Sequence, residues 1–130
     1  LLETVQEEAE NKIYPSGGYT ILASDIDETL IAIAEANARR AGVGGDITFQ
    51  TKSLEDLTHE TIATEATIIT NPPYGKRLKD PNLDALYTTL EALIEPRHGG
   101  YITNVVRNPG RNWKNKKLLN GAEECRFWYH

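Results

Sequence analysis

The sequence has no methionine, not even at position 1, and a single cysteine, Cys125. One cysteine cannot close an internal disulfide or build a cysteine-rich zinc site. Such sparing use fits a reducing cytosol, so a cytoplasmic location is expected. An open reading frame starts with methionine, so its absence at position 1 leads us to expect a processed, trimmed or truncated piece. No apolar run approaches the roughly 18 residues that span a bilayer, which excludes a membrane-spanning helix and argues against a membrane partner. No basic segment leads into an apolar one, so no secretion signal is visible. His59, His98 and His130 are not at ligand spacing with Cys125 or with carboxylates, and no metal is expected.

What is present suffices for a globular core. The chain has 130 residues, 39 % of them hydrophobic. Length alone suggests one complete domain, able to bury roughly two thirds of its unfolded surface. Charge is divided unevenly. Residues 1–70 carry 13 acids and 4 bases, and residues 71–130 carry 6 acids and 10 bases. A reversal of sign between halves suggests that one end of the molecule meets an anion.

Along the chain, Leu1 to Tyr14 reads as a polar, acidic helix ended by Pro15-Ser16-Gly17-Gly18. Tyr19 to Ser24 and Ala66 to Thr70 are short apolar runs suited to buried strands, and Asp46 to Thr51 alternates as a strand does. Glu28 to Ala41 has helical periodicity, with Arg39 and Arg40 in its last turn and Gly42 beyond. Ser53 to Glu65 is expected to form a short helix and loop. Asn82 to Ile94 forms an amphipathic helix whose packing face is Leu83, Leu86, Leu90 and Leu93. Gly99-Gly100 lead into a third apolar strand, Tyr101 to Val106, and Glu123 to Tyr129 is expected as the last strand, with Cys125 in the core. Strands alternating with helices predict an α/β sheet of parallel strands with helices on both faces.

In such sheets ligands bind beyond the carboxyl ends of the strands. Two strand ends carry distinctive chemistry, Asp25-Ile26-Asp27 and Asn71-Pro72-Pro73-Tyr74. An acid at the end of a strand can accept hydrogen bonds from both hydroxyls of a ribose, and Asp25 is placed for this. Asp27 or Glu28 can instead cap the following helix, and capping by Asp27 is compatible with a ribose contact by Asp25. Turns often use Asn and Pro. This run, however, directly follows a buried strand and adds a second proline and an aromatic. Its prolines fix the backbone, so the Asn71 amide oxygen and the Pro72 carbonyl can act as two set acceptors for an exocyclic NH2 group. Tyr74 can offer a flat face to a base. An aromatic amine is a poor nucleophile because its lone pair is delocalised, and two acceptors gripping its hydrogens turn that lone pair toward an electrophile.

Asn71-Pro72-Pro73-Tyr74 resembles the (Asn/Asp)-Pro-Pro-(Tyr/Phe/Trp) motif of S-adenosylmethionine-dependent amino-methyltransferases. The longer ATIITNPPYGKRL is similar to the ribosomal RNA methylases that pair this domain with a THUMP RNA-binding domain, a family that includes guanine-N2 methyltransferases. ILASDID with AIAEANARRAGV resembles the second strand and helix of that family, and LLNGAEECRF its closing hairpin. The resemblance implies a Rossmann-like class I methyltransferase sheet, an S-adenosylmethionine cofactor, and a role in rRNA processing with RNA as partner. It implies that Asp25 holds the cofactor ribose and Ile26 packs on the adenine. Asn71, Pro72, Pro73 and Tyr74 would form the catalytic motif, Asn71 also lying against the cofactor. The family often has an acid near the adenine amino group. Here Ser53, or Lys52 in a slipped register, stands in that place.

The family's domain opens with a strand and glycine-rich turn that have no counterpart here. The chain is therefore expected to be the C-terminal portion of one methyltransferase domain, with 1–18 a polar helix and linker and 19–130 running from the second strand onward. Such a fragment is expected to be inactive alone, and to pair its orphaned strands directly or by exchange in a homodimer. Lys76 and Arg77 past the motif, and Arg107, Arg111 and Lys114 around Trp113, suit phosphate contact and stacking with RNA, or else a solvated loop. Two other readings are open: methylation of DNA at adenine N6 or cytosine N4, and a non-catalytic α/β module that binds RNA or protein.

Overall fold

A computed structural model of the protein describes residues 1–13, 17–73 and 82–130. It divides into two compact units, Leu1–Thr51 and Lys52–His130.

The first unit holds α1 (Leu2–Glu10), β1 (Ile21–Asp25), α2 (Glu28–Arg40) and β2 (Ile47–Thr51). β1 and β2 pair in parallel, Ile21 opposite Ile47 and Asp25 opposite Thr51, with α2 as the crossover packed on both. α2 starts where the sequence says it should. Asp27 is extended at the N-cap and its carboxylate accepts a hydrogen bond from Thr29 N at 2.8 Å. Ile31 and Ala38 face inward from the helix. β1 differs from the buried strand expected of it, since Ile21 and Leu22 are exposed. Among the described residues its one hydrogen-bonded neighbour is β2.

The second unit holds β3 (Thr67–Thr70), α3 (Leu83–Ile94), β4 (His98–Thr103), β5 (Lys114–Asn120) and β6 (Glu123–Tyr129). Its sheet runs β3-β4-β6-β5. β3 and β4 are parallel, whereas β6 is antiparallel to both β4 and β5, so the expected parallel sheet is mixed. The closing hairpin is present and longer than its LLNGAEECRF core. Gly121, at φ +63°, takes the first central position of its two-residue turn, as a type II′ turn requires. β5 is a fully exposed edge strand guarded by Lys114, Lys116 and Lys117.

The core of this unit is Leu83, Tyr87, Leu90 and Ile94 of α3 against Tyr101, Trp113 and Trp128, and Cys125 is buried as expected. The leucine stripe of α3 packs as anticipated, joined by Tyr87 and Ile94.

Two expected elements differ. β4 begins at His98, so Gly99 and Gly100 lie inside the strand and not ahead of it. A Cβ on Gly99 would overlap the Ile68 carbonyl oxygen, and one on Gly100 the Trp128 carbonyl oxygen. The two glycines let β4 sit between β3 and β6. The segment 53–65 forms turns and no helix. Its anchor is Arg97, buried in the turn between α3 and β4, which donates to the carbonyls of Ala63 (2.9 Å), Ile62 (2.8 Å) and Leu93 (2.8 Å) and meets His59 Nδ1 at 3.0 Å. A guanidinium that collects carbonyls, including one from the last turn of a helix, replaces the hydrogen bonds that a helix in 53–65 would have made internally.

Candidate active site

In the first unit, Asp25 ends β1 at its carboxyl edge. Its Oδ1 accepts a hydrogen bond from Asp27 N at 2.8 Å, which fixes the carboxylate and leaves Oδ2 without a protein partner among the described residues. Ile26 follows, 73 % exposed. An oriented acceptor beside an open aliphatic side chain suits a ligand with hydroxyls and a flat ring. Capping falls to Asp27, whose carboxylate accepts from Thr29 N, while Asp25 Oδ1 is bonded to the N-cap residue's backbone and its Oδ2 is left for a ligand.

In the second unit, Asn71 follows the last residue of β3. Asn71 is exposed, Pro72 is buried and Pro73 is exposed. The buried Pro72 seats the segment, and the exposed Asn71 amide is open to a ligand at the carboxyl end of the sheet. The Pro73 carbonyl accepts from the Tyr87 hydroxyl at 3.2 Å, and Tyr87 is also 2.6 Å from Thr103 Oγ1. Tyr74, Lys76 and Arg77 lie outside the described residues. Ser53 donates to Asp56 Oδ2 at 2.9 Å and accepts from Asp56 N, so its hydroxyl proton is committed within its own turn.

Arg107 requires a correction. It is not a solvated RNA-facing side chain. It donates to both oxygens of Glu91 at 2.9 and 3.0 Å, pairs with Asp84, and lies 5.0 Å from the centroid of the Tyr87 ring. Its side chain is only 14 % exposed. The hydrogen bond to Glu91 holds its proton more tightly than an ordinary arginine would. Three of its five N–H donors and its charge are committed to two carboxylates, which leaves it a poor phosphate ligand. Trp113 is likewise core, 6 % exposed, and does not stack on a base. Arg111 and Lys114 are exposed.

Glu91 also accepts from Tyr101 Oη at 2.6 Å. Burial, and then this bond to an anion, raise the Tyr101 pKa far above the ordinary phenol value. Because the folded value is the higher one, the resulting stability is fully present below the unfolded-state pKa of about 10 and is lost as pH climbs through and beyond it. In an alkaline titration followed by tyrosine absorbance, Tyr101 is expected to stay protonated until the protein unfolds. Stability should fall less steeply above pH ~10 in Tyr101→Phe than in the wild type.

Sequence reading missed Tyr87, Glu91 and Thr103. Tyr87 was findable as an aromatic on the leucine face of α3, and Thr103 as a hydroxyl in an apolar strand. Among the described residues, no cluster of three metal-ligating side chains occurs and no helix is long and apolar enough to cross a membrane.

Solved structures place this geometry in a known fold. SMU.472, a candidate methyltransferase complexed with SAH, is similar with a TM-score of 0.77 and 26 % identity, over 98 % of this chain and 35 % of that one. A possible methylase from Clostridium difficile 630 gives a TM-score of 0.75 and 30 % identity, over 98 % and 36 %. A predicted N6-adenine-specific DNA methylase from Listeria monocytogenes str. 4b F2365 gives 0.72 and 27 %, over 98 % and 34 %. The chain thus spans about a third of the length of these structures. The fold is the mixed α/β fold of class I methyltransferases. A family model, RMKL-like, methyltransferase domain, matches residues 1–119, and the chain belongs to that family.

Proposed function

We propose that the protein transfers a methyl group from S-adenosylmethionine to an exocyclic amino group of a base in ribosomal RNA, guanine N2 in particular, as in the THUMP-associated branch that its motif resembles. The observation that carries this reading is the Asn71-Pro72-Pro73 segment at the carboxyl end of β3, with Asn71 exposed and the Pro73 carbonyl held by Tyr87. The SAH bound by SMU.472 supports the choice of donor.

When bound, the donor supplies an electrophilic methyl group. The rest falls to this chain. Asp25 Oδ2 is free to accept from ribose hydroxyls, and Ile26 offers its side chain to the adenine face. Asn71 Oδ1 and the Pro72 carbonyl accept the two amine hydrogens. Their grip localises the nitrogen lone pair and stabilises the positive charge that grows on nitrogen until its proton leaves to solvent. Exposed Arg111 and Lys114 supply phosphate contacts.

The Listeria relative, described as acting on DNA adenine, favours a second reading, adenine-N6 methylation of DNA. The GKRL continuation of the motif, similar to the ribosomal RNA branch, favours RNA. The full-length protein is expected to move labelled methyl from S-adenosylmethionine to unmodified ribosomal RNA and not to duplex DNA. Label appearing only in DNA as N6-methyladenine would replace the RNA reading with the other.

A further inference from the structure

Tyr87 is wholly buried among Leu83, Leu90 and Ile94. A phenylalanine would fill that space equally well, and a hydroxyl taken out of water there is costly unless bonded. Its bonds are directional. A carbonyl can only accept, so the Tyr87 hydroxyl proton goes to the Pro73 oxygen, 3.2 Å away. Thr103 must then be the donor in its 2.6 Å contact with Tyr87. Thr103 Oγ1 in turn accepts from Val105 N at 3.1 Å. One ordered chain runs from the Val105 amide through two hydroxyls to the Pro73 carbonyl.

The Tyr87 link of that chain and its Pro73 end are both stiff. The Tyr87 ring stands edge-on to Tyr101, centroids 5.4 Å apart and planes at 65°, and has the Arg107 guanidinium over it, itself held by Glu91 and Asp84. At the Pro73 end, only the φ and ψ of Pro73 separate its carbonyl from that of Pro72, and the ring locks φ. One soft torsion, ψ of Pro73, is then left between the two carbonyls, so holding the Pro73 oxygen restricts where the Pro72 oxygen can point.

We infer that Tyr87 and Thr103 are positioning residues that aim the Asn71–Pro72 acceptor pair at the amine. The inference rests on the amine-methylation reading above. Tyr87→Phe and Thr103→Val keep shape and remove one hydroxyl each. Thr103→Ser restores the one that matters.

In the full-length protein, with tritiated S-adenosylmethionine and ribosomal RNA from a strain lacking the gene, both deletions are expected to lower kcat roughly 10- to 100-fold. KM for the donor should stay within about twofold, and Thr103→Ser should recover most of the rate. A readout without turnover is the carbonyl carbon resonance of Pro73 in proline-labelled protein, which should move when Tyr87 loses its hydroxyl. Wild-type kcat in folded Tyr87→Phe, or an unmoved Pro73 resonance, would overturn the inference. Loss of kcat in Thr103→Ser equal to that in Thr103→Val would overturn it too, since it would mark a packing role. A wild-type rate in Asn71→Ala would instead sink the amine reading, and the Pro73 resonance would still judge the hydrogen bond by itself.

Discussion

Alanine at Gly100 is expected to destabilise the protein by about 3 kcal/mol or more, as overpacking against backbone does. Gly100 sits in mid-strand opposite Tyr129. An added methyl there would overlap the Trp128 carbonyl oxygen and lie 2.8 Å from Phe127 Cζ. A flexible side chain can move aside, but a carbonyl engaged in a central ladder cannot do so without parting β4 from β6. The useful contrast is Gly121→Ala in the β5–β6 turn. That glycine has a positive φ of +63° and nothing within 4 Å of a built Cβ. Its replacement costs backbone strain alone, about 1–2 kcal/mol. Chemical denaturation of both variants measures the difference. Equal losses would mean that β4 does not run as closely between its neighbours as described.

Asn71→Ala is expected to lower methyl transfer roughly 10²- to 10³-fold, the usual loss when one of a few preorganised polar contacts to the reacting group is removed. Asn71 is exposed, so the melting temperature should stay close to that of the wild type. The rate loss should fall on kcat, because the contact tightens as charge builds on the amine. Asn71→Asp keeps an acceptor oxygen and should retain a measurable fraction of the rate. An Asn71→Ala protein as active as the wild type would favour a non-catalytic role for this strand end.

Much of this architecture is legible in the sequence. Period locates α2 and α3, and Asp27 caps α2 where its spacing predicts. The Asn-Pro-Pro run marks the end of β3 because proline cannot continue a ladder. The errors share one physical origin, partners distant in sequence. Gly99-Gly100 read locally as the lead-in to a strand that starts at Tyr101, and only the backbones of Ile68 and Trp128 explain why the strand itself needs them. Arg107 reads locally as one of a basic stretch, but its carboxylates lie on α3, 16 and 23 residues earlier. Tyr87 reads as one more apolar residue of a helix face, while its hydroxyl works on partners 14 and 16 residues away. Local pattern reports which elements form. It cannot report which polar groups those elements bring together.

The central claim is that Asn71 and its neighbours hold a base amine of ribosomal RNA for methylation. The most direct measurement is mass mapping of ribosomal RNA from cells lacking the gene, complemented with wild-type or Asn71→Ala protein. The account predicts one base 14 Da lighter in the deletion strain, a guanine methylated at N2 in normal cells, restored by wild type and not by Asn71→Ala. Ribosomal RNA of unchanged mass in the deletion strain, or full restoration by Asn71→Ala, would contradict it.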